Sequence, residues 1–352
     1  MGTTQSIAYV DVHAAGEPGR VLVANHLLAR GNTMAEKLSY AKQNLDWLRT
    51  LVLTEPRGYP ALCAVLITAP CDPRADFGII VLEQPGFRPM SGSNTMCAVT
   101  ALLETGMVPV TGPQQKVVID TAVGLVEVTA TVRDGKVTLV EIRNVTAFVE
   151  VIEHPLEVPH LGTVPVDVVF GGQYFVQARA ADLGLTIDPA SAKALTRAGA
   201  MLRAAAREQI PVKHPENPDI DTIDLVMLHG PSPSPDADGR NAVICFNSEF
   251  DWDNESTWTG SIDRSPCGTG TSGRMAAKHA RGELPLDTPF VHESILGTRF
   301  TGRLLEEVPD GPRGAVRPLI AGTAWVHGMG RLLVDQTDPF PTGYTLGDIW
   351  SG

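Results

Sequence analysis

Two short segments of this chain repeat one another half a chain apart, and that repeat constrains the fold more than any other feature. Cys267-Gly268-Thr269-x-Thr271 lies over Ser91-Gly92-Ser93-x-Thr95. Each segment leads into a mildly helical run, and each run closes with a glycine fifteen residues on, at Gly282 and Gly106. The leading positions are 176 residues apart (267 − 91), half of the 352-residue chain. The chain therefore reads as two related halves, each presenting one side chain where a helix begins. A repeat of that length is too long for a solenoid. The four N–H groups of a first helical turn have no partner within the helix, so such a start binds an anion and lowers the pKa of a cysteine held against it.

The rest of the chain fits that plan. Ile7 to His13 alternates as a strand and runs into a turn-rich loop from Ala14 to Arg20. A helix is predicted over about Met34 to Leu51, and Ala61 to Thr68 and Phe77 to Leu82 are compact β-rich runs leading to the first turn. Lys116 to Val151 is β-rich, with Arg133-Asp134-Gly135-Lys136 as a hairpin turn. The proline-rich stretch Pro155 to Pro165 is the predicted boundary, giving a first half over 1–160, joined by a returning tail 335–352, and a second half over 161–334. In the second half, Val166 to Phe170 and Tyr174 to Gln177 flank Gly171-Gly172. A long Ala-rich helix spans about Pro189 to Glu208, strands at Asp224 to Leu228 and Ala242 to Phe246 lead to the second turn, and Phe290 to Leu304 and Thr323 to Val334 read as strands.

Composition removes several classes of function. A hydrophobic share of 43% with 19% charged residues makes a soluble globular protein the default. A net charge of −12 disfavours nucleic acid and anionic membrane surfaces, which need a basic footprint. The longest apolar run, Ala61 to Ala69, falls short of a membrane span, and no signal peptide precedes the first strand. The start Met1-Gly2-Thr3-Thr4-Gln5-Ser6 matches the loose myristoylation pattern without a polybasic patch or second lipid site, and reads as coincidence. Five cysteines, with no C-x-x-C pair, suit a reducing cytoplasm better than a disulfide framework. Cys63, Cys97 and Cys245 sit in apolar runs as core residues; only Cys267 has a turn, a helix start and polar neighbours.

Each motif has a bland reading beside the chemical one. Gly268-Thr269-Gly270-Thr271-Ser272-Gly273 satisfies G-x-G-x-x-G, but no apolar strand precedes it and no βαβ unit surrounds it, so a dinucleotide site is set aside. His13, His229 and His292 lack ligand spacing, and no metal is predicted. Serine is among the commonest helix N-caps, which is the ordinary account of Ser91; its alignment with Cys267 favours the chemical one. Asp263, four residues before Cys267, is a surface carboxylate or the partner of an ammonium group. Two helix starts holding one small carboxylate would place an α-carbon between the two side chains, so that a base on one face removes the α-proton and an acid on the other returns one. That chemistry needs neither metal nor pyridoxal phosphate.

Five segments together resemble the proline racemase family across nearly the whole chain: 11–21, Met90-Ser91-Gly92-Ser93-Asn94-Thr95, Phe170-Gly171-Gly172, 263–271 and His292-Glu293-Ser294-Ile295-Leu296-Gly297. The resemblance implies an α/β (α+β) fold like diaminopimelate epimerase: two pseudo-symmetric halves, each a curved sheet wrapped round a central helix, with the site between them. It implies no cofactor, a small imino-acid substrate and often a homodimer. By the same match Ser91 and Cys267 hold the acid/base positions, Gly92, Ser93, Gly268 and Thr269 the carboxylate-binding turns, and Asp263 the ring-nitrogen site. The chain departs from the family at two places, because racemases usually carry Cys at both acid/base positions and His where Ser93 stands.

A serine is a far poorer base than a thiol. Elimination of the hydroxyl of trans-3-hydroxy-L-proline needs one strong acid/base, since the hydroxyl and the α-hydrogen share a ring face. Epimerisation needs a competent group on each face. The expected activity is thus a trans-3-hydroxy-L-proline dehydratase yielding Δ1-pyrroline-2-carboxylate. A 4-hydroxyproline 2-epimerase is the alternative, and a non-catalytic imino-acid binder is the alternative outside enzymes.

Overall fold

The structure is a computed structural model that describes residues 5–24, 28–217, 220–347 and 349–350. The myristoylation-like start lies, as far as Thr4, outside the described residues. The chain divides into two compact units, Met1–Ile142 with Gly322–Trp350, and Arg143–Ala321.

In the first unit β1 (Gln5–Ala14) and β2 (Glu17–Val23) form an antiparallel hairpin that turns at Ala15 and Gly16, both with positive φ. Helices α1 (Met34–Asn44) and α2 (Asp46–Leu53) follow, α1 starting where the Thr33 hydroxyl accepts the Glu36 N–H. Strands β3 (Cys63–Thr68), β4 (Phe77–Glu83) and β5 (Gly86–Arg88) lead to helix α3 (Gly92–Glu104). Strands β6 (Gln114–Thr121), β7 (Gly124–Arg133) and β8 (Lys136–Arg143) complete the run. Asp134 and Gly135, both at positive φ, make the tight turn between β7 and β8.

The second unit runs through β9 (Phe148–Val158), β10 (Gly162–Phe170), β11 (Tyr174–Arg179), helix α4 (Ala192–Gln209), β12 (Ile223–Gly230), β13 (Gly239–Cys245) and β14 (Ser261–Ile262) to helix α5 (Gly268–Ala280). Strands β15 (Phe290–Glu293), β16 (Arg299–Glu307) and β17 (Val316–Gly322) follow, and β18 (Ala324–Val334) belongs to the first unit, where it pairs with β1.

The pairing pattern repeats. β1/β2, β3/β4, β4/β5 and β6/β7 are antiparallel while β2/β3 and β4/β6 are parallel. β10/β11, β12/β13, β13/β14 and β15/β16 are antiparallel while β11/β12 and β13/β15 are parallel. In each unit the strands wrap a central helix, as in diaminopimelate epimerase-like folds. α3 packs on β1, β2, β3 and β18, and α5 on β9, β10, β11 and β16. α3 is buried from Gly92 to Leu103, the mark of a core helix rather than a surface one. Close approach requires small residues: a Cβ on Gly19 would stand 2.8 Å from Cys97 Sγ, and one on Gly273 2.5 Å from Val169 Cγ2. Outside each central helix a second apolar layer forms, with α2 contributing Leu48, Leu51, Val52 and Leu53 in the first unit, and α4 Leu195, Met201 and Leu202 in the second.

Several elements differ from the sequence reading. The predicted loop Ala14–Arg20 is a tight turn followed by strand β2, its Pro18 and Gly19 both lying in register opposite β1. The helix predicted over 34–51 is two helices meeting at Leu45. The Pro-rich stretch is a continuous hairpin, with Pro155 directly opposite Pro165, and the units part at Ile142 instead. The chain returns to the first unit from Gly322, ahead of the tail expected from Asp335.

Candidate active site at two helix starts

In the first unit Ser91 is the residue before α3, with φ −150° and ψ 130°, and its hydroxyl makes no capping hydrogen bond. Its Oγ instead accepts from Asn94 Nδ2 at 3.1 Å and lies 3.3 Å from Ser93 Oγ. The ordinary account of Ser91 as a cap therefore fails. The first backbone bond of the helix is Thr95 N–H to Ser91 O, which leaves the N–H groups of Gly92, Ser93 and Asn94 with no acceptor among the described residues. Ser93 and Asn94 are buried.

In the second unit Cys267 stands before α5 with φ 60° and ψ 110°. A non-glycine residue in that region carries backbone strain, which persists only where its surroundings impose it. Here they do: the Cys267 N–H donates to Ser265 Oγ at 3.1 Å, and the Cys267 carbonyl accepts the Thr271 N–H at 2.9 Å. Sγ accepts from the Gly270 N–H at 3.4 Å and lies 3.5 Å from Thr269 Oγ1. The N–H groups of Gly268 and Thr269 have no acceptor among the described residues. Asp263 is buried beside this turn, its Oδ1 accepting from Ser265 N at 2.7 Å and Ser265 Oγ at 2.8 Å.

The electrostatics correct one expectation. A helix start was predicted to lower the thiol pKa; instead burial pushes the Cys267 thiol well above its usual range, and the Asp263 carboxylate pushes it further. The Thr269 hydroxyl and Gly270 N–H pull it only part of the way back. Desolvation and a like-signed neighbour outweigh two hydrogen bonds.

A second set of residues fixes the Cys267 turn. The Pro266 carbonyl accepts from Asn241 Nδ2 at 2.9 Å and from Thr271 Oγ1 at 3.0 Å, and Thr271 Oγ1 lies 2.8 Å from His292 Nδ1. Burial, then the charges of Arg274 and Lys278, lower the His292 pKa to about 3, so its ring is neutral. The Gly171-Gly172 loop presses on Thr269: a Cβ on Gly171 would stand 2.1 Å from Thr269 O, and one on Gly172, at φ 120°, 2.9 Å from Thr269 Cγ2.

The structure thus gathers Asp263, Cys267, Gly268 and Thr269 at one helix start, and Ser91, Gly92 and Ser93 at the other. Sequence reasoning missed Asn94, Ser265, Asn241 and the support role of His292. Asn94 carried a usable signal, because a polar residue three positions past the leading serine faces back onto it in a helix. Among the described residues no three or more His, Cys, Asp or Glu side chains gather as a metal-ligand set, and no helix is long and apolar enough to cross a membrane.

The family model described as proline racemase covers residues 9–345. The chain belongs to the proline racemase family. It is 40% identical to a proline racemase of Clostridioides difficile over 346 residues, 98% of this chain and 100% of that one. It is 38% identical to a 4-hydroxyproline 2-epimerase of Streptosporangium roseum, with 98% and 100% covered. A solved hydroxyproline epimerase from Agrobacterium vitis, with bound trans-4-hydroxy-L-proline, matches with a TM-score of 0.90 at 32% identity, covering 100% of this chain and 98% of that one. The proline racemase family is enzymatic, and these members are named as isomerases acting on proline or hydroxyproline.

Proposed function

We propose that this chain is a 4-hydroxyproline 2-epimerase that moves the α-proton with Cys267 and Ser91. The observation that carries the reading is Cys267 itself, a buried thiol on strained backbone at a helix start, beside two unpaired N–H groups and a carboxylate. In this reading the N–H groups of Gly268 and Thr269, with those of Gly92 and Ser93, take the substrate carboxylate. Asp263 takes the ring ammonium. That pairing offsets the charge that opposes thiolate formation, so substrate binding itself favours the basic form of Cys267.

The Cys267 thiolate then accepts the α-proton, and the electron pair left on the α-carbon spreads into the carboxylate, which the N–H groups stabilise. The Ser91 hydroxyl delivers a proton to the opposite ring face, and Asn94 Nδ2 stabilises the oxygen left behind. Exchange with solvent returns a proton to Ser91 and removes one from Cys267. The names of the relatives favour epimerisation over the dehydratase expected from the sequence.

One observation keeps dehydration as a second reading. Ser91 is a hydroxyl where racemases of the family usually carry a thiol, and elimination from trans-3-hydroxy-L-proline asks for one strong acid/base only. The test is incubation with trans-4-hydroxy-L-proline and with trans-3-hydroxy-L-proline, followed by chiral analysis and imine detection. The epimerase reading expects cis-4-hydroxy-D-proline from the first. Imine from the second with no epimer from the first would replace it with the dehydratase, and no product from either would sink both.

A further inference from the structure

A cavity of about 680 Å³ lies in the second unit, with His229, Arg274, His292, Leu185, Ile187 and Phe290 in its wall and Cys267 outside it. Its size is that of a small-molecule site. His229 is 9% exposed and lines the cavity; its ring has no hydrogen-bond partner among the described residues, and its nitrogens are not among the fully enclosed unpartnered atoms, so they are open to the cavity. An imidazole that faces a cavity without a protein partner is free to take one from a ligand or from water.

Its neighbours are mainly cationic. Burial lowers the His229 pKa well below its usual value, and Arg274, His292, Arg179 and Arg281 lower it further. Most of the cations around the cavity are already matched. Arg179 is paired with Glu153 and Asp182, Arg240 with Glu293, Arg281 with Asp167, and Lys278 with Glu283. Arg274 is the exception. It is half-buried, and its one ion pair among the described residues is Nη1 to Asp167 Oδ2 at 3.5 Å, to a carboxylate that already holds Arg281 at 2.5 Å. The Asp238 carboxylate also lines the cavity, but it accepts the Val291 N–H at 2.7 Å.

We propose that this cavity binds a small organic anion, with its carboxylate or phosphate between His229 and Arg274 and its apolar body against Leu185, Ile187 and Phe290. Arginine can present parallel N–H donors to either head group, and a neutral imidazole adds one more. The apolar wall selects against a bare inorganic ion. The site is separate from the Cys267 turn, although His292 borders both.

The test is calorimetric titration of the whole chain with phenyl phosphate and with benzoate, each in the presence and absence of pyrrole-2-carboxylate, whose planar ring imitates the flattened α-carbanion and which therefore serves as the ligand of the proposed Cys267 site. The probe that binds identifies the head group. The expected result is saturable binding of at least one probe, unaffected by pyrrole-2-carboxylate and weakened at least tenfold in His229→Gln. Ala181→Trp, which leaves every charge in place and adds bulk at the cavity wall, should weaken it as much. Binding should also shift the ring resonances of His229 in NMR spectra. No saturable binding of either probe, displacement by pyrrole-2-carboxylate, or unchanged affinity in both variants would overturn the proposal.

Discussion

Replacing Gly171 with alanine tests how tightly the active turn is held. The added Cβ would stand 2.1 Å from Thr269 O and 2.7 Å from Gly273 N, where ordinary contact begins at 3.4 Å. Both obstacles are backbone atoms, so the two segments must separate by about 1.3 Å to restore contact with Thr269 O. Gly171 is not free to retreat, because its carbonyl accepts from Asn144 Nδ2 at 3.1 Å and that same nitrogen bonds Ser272 Oγ at 2.9 Å. Overpacking of this kind costs roughly 1–3 kcal/mol. For a unit of roughly 180 residues, with an unfolding entropy of about 2.1 cal/mol/K per residue, that lowers Tm by about 3–8 °C. A shift of about 1 Å in the N–H groups of Gly268 and Thr269 would slow α-proton exchange by about 10²-fold. Thermal denaturation and α-deuterium uptake by hydroxyproline read the two effects, with Gly112→Ala as control, since nothing stands within 4 Å of a Cβ there. A Gly171→Ala protein with Tm within about 1 °C of the parent and full exchange would refute the reasoning.

Asn94→Ala should lower kcat/KM by about tenfold through loss of one hydrogen bond to Ser91 Oγ, with the far-ultraviolet circular dichroism unchanged; an unaltered kcat/KM would show that Asn94 does not serve Ser91. His292 predicts a pH dependence of stability. Its folded pKa of about 3 lies below the unfolded value, so only the unfolded state takes up a proton between the two. The stability tied to keeping it neutral is whole above about pH 6.5 and is lost as pH falls toward 3, at about 1.4 kcal/mol per pH unit in mid-window. Urea denaturation between about pH 7 and 4 should show a slope reduced by that amount in His292→Gln, whereas an identical slope in parent and variant would contradict the assignment.

The repeat was legible because both copies carry the same Gly/Thr/Ser chemistry at a helix start, and the helices begin at Gly92 and Gly268 with the spacing the sequence gives. Their closing glycines, Gly106 at φ 72° and Gly282 at φ 74°, sit in the left-handed region that ends a helix. Prolines misled in two places. Pro18-Gly19 resembles a turn, yet Gly19 is there because β2 passes over Cys97. Pro155 and Pro165 look like a linker, yet they face each other across the β9/β10 ladder, an arrangement no local pattern announces. The thiol pKa was not legible either. Sequence shows the helix start that lowers it, but burial and the nearness of Asp263 are tertiary facts, and they win.

The measurement that bears most directly on the account is the α-proton signal of trans-4-hydroxy-L-proline in D2O, followed by NMR with the parent protein and with Cys267→Ala. The account predicts that the parent replaces the α-proton with deuterium without added cofactor, and that Cys267→Ala does so about 10²–10⁴-fold more slowly. Exchange at the parent rate in Cys267→Ala, or no exchange by the parent, would contradict it.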